Sequence, residues 1–189
     1  MGDEPTVTSR AIFTGRVITL RVDEVRLPDG RLAYREIVEH PGAAAVVAVT
    51  DDDHLILVRQ YRKAVEATLL EIPAGTREPG ETPLHCAQRE LAEETGYAAR
   101  EMQPLVTFVP SPGILSEEIA IFLARGLTPV PRTVAAEEAD LRVVRIPRDR
   151  IPALIHAGEI RDAKSLIGLM LFLWGGRGDG PPGHARPAE

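Results

Sequence analysis

The spacing of apolar and polar residues changes several times along the chain. Residues 1–9 are polar, without a period, and read as a frayed, disordered N-terminus. Residues 11–30 are rich in β-branched side chains and end at Pro28-Asp29-Gly30, a tight-turn signal. Residues 31–40 then form the return strand, so residues 10–41 predict a small antiparallel β lobe closed by Pro41-Gly42. The continuously apolar run 43–50 has the pattern of a buried strand, with 54–62 as its partner and 68–75 as another short strand. Thr82-Pro83 switches the period to helical: threonine suits the N-cap and proline the first helical position. That helix stops at Gly96, and Leu84, Ala87 and Leu91, with Cys86, make a stripe toward the core. Strands follow at 102–109, 118–127 and 140–146, then helices at 151–160 and 162–175. Residues 176–189 are rich in glycine and proline and read as a disordered tail. The expected class is α/β, with residues 42–175 as the main domain.

Composition narrows the function more than the fold. A chain of 189 residues, 44% of them hydrophobic, can bury a core without covalent staples. With 22 Lys and Arg against 28 Asp and Glu, it lacks the basic stripe of a nucleic-acid binder, so no nucleic-acid partner is expected. The single cysteine, Cys86, excludes an intrachain disulfide and an all-cysteine metal cage, and reads as a small buried hydrophobe. No apolar run reaches the roughly 18 residues of a membrane span, and no signal peptide is visible. A cytoplasmic protein without a membrane partner is the expectation. The acid surplus is local: residues 66–96 hold seven glutamates against two arginines.

Three of those glutamates define the candidate chemistry. Glu90 and Glu94 are four apart and share a helix face, and Glu93 adjoins it. Like charges so placed cost roughly 0.2–0.5 kcal/mol per exposed pair. A divalent cation reverses that sign, because hard ions prefer carboxylate oxygens. Arg89 can pair with one of these carboxylates and hold it. On spacing alone, a solvated acidic helix face has the same appearance.

The whole segment 75–97 decides more than the spacing. Gly75, Glu81, Arg89-Glu90-Leu91, Glu93-Glu94, Gly96 and Tyr97 resemble the Nudix box at all nine fixed positions. The resemblance implies a Nudix hydrolase: an α/β/α sandwich around a mixed sheet, here with a small N-terminal antiparallel β lobe. It also implies Mg²⁺ as cofactor, with Mn²⁺ as substitute. Glu90 and Glu94 would be the principal metal ligands, with Glu93 joining them directly or through water. The backbone carbonyl of Ala74 is similar to a further ligand. Arg89, with Glu81, would orient the box carboxylates, and Gly75 and Gly96 would permit the tight turns at either end of the helix.

Flanking segments resemble the ADP-ribose and ADP-sugar pyrophosphatase branch: VRQYR at 58–62, LEIPAG at 70–75 and SPG at 111–113. The implied substrate is a nucleoside diphosphate sugar, with ADP-ribose first and other ADP-sugars or dinucleotides as alternatives. A nucleotide-binding regulator without catalysis is the non-enzymatic alternative. Pro112 matches the branch marker. Arg62 resembles a substrate-binding arginine, with Arg59 the weaker candidate, turned into the fold on the alternating strand. Glu117, with Glu118 as competitor, is similar to a residue contacting the terminal ribose or the metals. The acidic loop 135–140 places Glu137 at the catalytic-base position, with Glu138 as alternative, although Ala139 stands where members often carry another acid. The resemblance implies a homodimer through the β lobe, with Tyr34 or Phe13 as stacking surface; the alternative for both is a core position, which is the expectation for Phe13.

Overall fold

The computed structural model describes residues 3–133 and 140–175. Its first sheet is antiparallel, with strands β1 (Thr6–Thr14), β2 (Thr19–Arg26) and β3 (Leu32–Glu39) in that order. The Pro28-Asp29-Gly30 turn forms as its residues suggest: Gly30 takes φ +87°, and the Leu27 amide donates to the Arg31 carbonyl at 2.8 Å. Two sequence expectations fail here. Strand β1 begins at Thr6, inside the segment read as frayed, because Thr6 onward pairs with Val25 and its neighbours on β2. The run 11–30 is also two strands rather than one, since the chain reverses at Gly15, whose amide donates to the Ile18 carbonyl.

The second sheet is mixed and carries the core. Its main path runs β10 (Arg142–Pro147), β5 (His54–Arg62), β4 (Ala43–Val49), β9 (Ile119–Pro129), β8 (Tyr97–Phe108). Strands β4 and β9 are parallel, and their neighbours pair antiparallel. The predicted strand 68–75 is split. Strand β6 (Ala67–Glu71) pairs with β5 and β7 (Ala74–Thr76) pairs with β4. Pro73, which lacks an N–H for the ladder, lies between them, and its carbonyl accepts from the Val46 amide.

Alternation along β4 explains the layers. Ala44, Val46 and Ala48 pack with Cys86, Ala87 and Leu91 of helix α1 (Pro83–Thr95). Ala43, Ala45, Val47 and Val49 point the other way, toward Ile151 of α2 (Ile151–His156) and Leu169 and Phe172 of α3 (Ala163–Trp174). The sheet is therefore enclosed between helices, an α/β/α sandwich, with the three-stranded lobe beside it. The helix expected over 151–160 closes at His156, and Ile160 beyond it is buried. Leu84 is 38% exposed, contrary to its expected place in the buried stripe. The buried residues of α1 are Cys86, Ala87, Glu90, Leu91, Glu94 and Thr95. At about 100° per residue Leu84 lies on the same side as Leu91 and Thr95, and differs from them in standing in the first turn of the helix.

The loop over 110–118 helps tie the lobe to the main sheet. The Val38 amide donates to the Ile114 carbonyl at 2.7 Å, and the Ser116 amide donates to the Val38 carbonyl at 3.0 Å. The His40 amide donates to Ser116 Oγ at 3.1 Å. The 110–118 loop, which carries Pro112 and Glu117, is thereby registered on β3. No described helix is long and apolar enough to cross a membrane.

Candidate active site

The site is built on α1 and the turn that precedes it. Thr82 Oγ accepts from the His85 amide at 3.2 Å, and Pro83 takes the first helical position. Gly96 closes the helix in the left-handed region at φ +74°, donating to the Ala92 carbonyl. This start and stop fix which residues point inward. Glu90 is 8% exposed and Glu94 only 1%, an unusual burial for two carboxylates one helical turn apart. Glu93, on the outer edge, has a side chain 43% exposed.

The approach to the helix closes on these carboxylates. The Ala74 amide donates to Glu94 Oε2 at 2.9 Å. A Cβ at Gly75 would lie 1.9 Å from Glu90 Oε1. The reason for Gly75 is therefore space beside Glu90 and not a left-handed backbone, since it is absent from the positive-φ glycines. Gly96 does need its conformational freedom.

Arg89 binds three carboxylates at once. Its Nε donates to Glu81 Oε1 at 2.9 Å and its Nη2 to Glu81 Oε2 at 3.0 Å, a two-pronged pair. Its Nη1 donates to Glu90 Oε1 at 2.7 Å and to Glu93 Oε2 at 3.1 Å. Hydrogen bonding from Arg89 pulls Glu81 down to a pKa of about 2. The same bonds raise the guanidinium above its ordinary value. Cys86 is fully buried, and burial pushes its thiol up to about 12, so it is no nucleophile near neutral pH.

Other sequence candidates fall in different places. Arg62 is not an open fork: its Nε and Nη2 donate to Glu71, the latter at 2.6 Å. Glu71 is 2% exposed and needs that cation. Arg59, expected to turn into the fold, is exposed instead. It shares a cavity of about 250 Å³ with Tyr61, Thr68, Asp140 and Arg142, and lies 3.9 Å from the Glu159 carboxylate. Strand alternation is the reason, since Arg59 and Tyr61 share one face while Gln60 and Arg62 share the other.

Glu117 is half-enclosed, 3.4 Å from His40 Nδ1. Pro112 is exposed, and Tyr34 stands 69% exposed on β3. Glu137 and Glu138 lie outside the described residues.

Residue-by-residue reading missed Glu71 and Lys164, which meet at 2.9 Å. The available signal was one carboxylate inside the apolar run TLLEI, which cannot be buried without a partner.

The donors suit a hard divalent cation, with Glu90, Glu94, Glu93 and the Ala74 carbonyl all offering oxygen. Glu90 and Glu94 are buried together, and the space against Glu90 admits no Cβ at position 75. Among the described residues, no three His, Cys, Asp or Glu side chains are already gathered as a metal cage. Arg89 sits among the candidate ligands.

A sequence profile of the NUDIX domain matches residues 39–166. The chain belongs to the Nudix family. Within it, residues 4–38 match the nucleoside diphosphate sugar hydrolase N-terminal domain, which is the three-stranded lobe. An ADP-ribose pyrophosphatase of Bacillus subtilis is 42% identical over 164 residues, covering 86% of this chain and 89% of that protein. A protein named methanol dehydrogenase activator, from Bacillus methanolicus, is 41% identical over 166 residues, covering 87% and 90%. A crystal structure of an ADP compounds hydrolase superposes with a TM-score of 0.80 at 25% identity, covering 92% of this chain and 94% of the other. This Nudix chain is accordingly a hydrolase, and its family typically depends on a divalent metal.

Proposed function

We propose that this Nudix hydrolase cleaves the pyrophosphate bond of ADP-ribose to AMP and ribose 5-phosphate with Mg²⁺, for which Mn²⁺ can substitute. The observation that carries the reading is the complete box with Glu90 and Glu94 buried against Ala74-Gly75. The sugar-nucleotide side rests on relatives at about 40% identity and on the matched N-terminal domain.

Each residue has a physical task in this reading. A pyrophosphate is anionic and repels a hydroxide nucleophile. The ion, when bound, neutralises that charge and lowers the pKa of water. Glu90, Glu94, Glu93 and the Ala74 carbonyl hold it. The Ala74 amide keeps Glu94 in place, and Arg89, braced by Glu81, keeps Glu90 and Glu93 from parting. Glu137 takes the proton from the attacking water, with Glu138 as alternative. Arg62 offers Nη1, which takes no part in the Glu71 pair, to a phosphate oxygen. Pro112 and Glu117 form the wall toward the terminal ribose, and their loop is registered on β3.

The working unit is a homodimer in this proposal. All nine positions of β1 are exposed in the single chain, and Phe13 and Tyr34 stand 57% and 69% exposed. A second copy covering this lobe would bury them and bring Tyr34 toward the neighbour's nucleotide. A lone thiol in place of a disulfide framework supports a cytoplasmic location.

A second reading, regulation of another enzyme, is favoured by the relative named methanol dehydrogenase activator. The glutamates of the box, all retained, favour hydrolysis. The two are separated by a substrate panel with Mg²⁺: ADP-ribose, ADP-glucose, ADP-mannose and NADH, with products resolved by chromatography. The hydrolase reading expects AMP from ADP-ribose at the highest kcat/KM. Inactivity on the whole panel would leave regulation as the better account.

A further inference from the structure

The C-terminal helix reaches the catalytic region through one buried carboxylate. Glu71 ends β6 with 2% exposure and two cations against it. Arg62 Nε lies 3.3 and 3.2 Å from its two oxygens, Arg62 Nη2 donates to Oε2 at 2.6 Å, and Lys164 Nζ donates to Oε2 at 2.9 Å. Burial opposes charging of Glu71, yet the two cations hold its carboxyl below the usual range. The carboxylate is therefore present as an anion and can fix a guanidinium.

Register makes that fixing consequential. On the β5–β6 ladder Glu71 faces Val58, while Arg62 faces Ala67. The Arg62 and Glu71 side chains must therefore reach toward each other along the sheet to close a strand offset of roughly 13 Å. A stem stretched this far has many alternative rotamers toward solvent, and the carboxylate selects one. Lys164 in turn selects the carboxylate position. Its Nζ also donates to Asp162 at 2.8 Å, and Asp162 caps α3 by accepting from the Ser165 amide at 3.1 Å. Ser165 Oγ accepts from the Ile72 amide at 2.9 Å, so the first turn of α3 holds both Glu71 and the residue after it. Ala74 and Gly75 follow two and three residues later.

We propose that Lys164, acting through Glu71, is a positioning residue for Arg62 and sets the guanidinium where it meets the substrate phosphates. This rests on the reading of Arg62 as a phosphate contact. Helix α3 then has a task beyond covering the core: its N-terminal turn aligns a binding group of β5 through a carboxylate of β6. A plain structural ion pair would stabilise the fold at this corner without governing substrate affinity.

Steady-state kinetics on ADP-ribose separate these roles, using wild type, Arg62→Ala, Lys164→Met and the double variant. Positioning predicts that Lys164→Met raises KM about tenfold while kcat stays within about twofold. It predicts that the double variant is no worse than Arg62→Ala alone, and that Lys164→Arg restores KM. Glu71→Gln, which keeps the side-chain volume, should raise KM in the same way and serves if Lys164→Met does not fold. Equal added loss from Lys164→Met in the Arg62→Ala background overturns the proposal, as does a lowered Tm with unchanged KM. If Arg62→Ala itself leaves KM unaltered, the phosphate-contact reading falls and the positioning role falls with it.

Discussion

At position 75 a single methyl group would stand 1.9 Å from Glu90 Oε1 and 2.0 Å from its carboxyl carbon. One of the two has to move, and the backbone there is held in the β4–β7 ladder. Gly75→Ala should therefore displace Glu90 while costing about 1–3 kcal/mol of stability, the range for overpacking a filled site. Misplacement on this scale predicts a loss in kcat of about a hundredfold. Parallel measurement of turnover and thermal unfolding checks both numbers, and unchanged turnover would show that Glu90 has room. The glycine was legible in the sequence as part of a motif, but its reason was not. The resemblance implied a tight turn, whereas the structure shows a carboxylate occupying the space of a side chain. Arg62 gives the converse lesson. Its residue type suggested an open anion contact, and only the partner nine residues further along, itself buried, shows that most of the guanidinium is already committed.

Helix α1 was the most legible element, because cap, proline, apolar period and terminal glycine all agreed. The strands were less so. A proline splits 68–75 between two partners, and a Thr14-Gly15 reversal splits 11–30, events decided by which neighbour accepts the ladder. The same helix yields a pH prediction. Arg89 holds Glu81 at about 2 against an ordinary 4.5, so the folded state favours the charged carboxylate. That contribution is complete above about pH 4.5 and is lost as pH falls toward 2. Glu81→Gln should lower Tm at neutral pH and flatten its decline across that acid window. A variant whose Tm falls with acid as steeply as wild type would remove Glu81 as the responsible group.

The whole molecule combines a well-buried sandwich with a lobe that buries little of itself. In β2 only Asp23 and Val25 are buried, and β1 has no buried position. Small sheets of this kind need something to pack against. Sedimentation should give twice the 20.6 kDa chain mass, and Phe13→Glu with Tyr34→Glu should shift the protein toward a single chain. A wild-type protein sedimenting as one chain would remove the dimer from the account. The lobe was legible as a β element, but its exposed apolar side chains were not, because a hydrophobic residue in a strand looks the same whether it meets its own core or a partner. Glu137 and Glu138 lie outside the described residues, and the base assignment stays with the proposal.

The central claim is that buried box carboxylates make this chain a metal-dependent pyrophosphatase. Its most direct test is AMP release from ADP-ribose by wild type and Glu94→Gln, each metal-stripped and then supplied with Mg²⁺. Wild type should be inactive when stripped and recover with Mg²⁺, while Glu94→Gln should stay about a thousandfold slower, as when a principal stabiliser of transition-state charge is removed. Equal rates for the two proteins, or full activity of the stripped enzyme, would contradict the account.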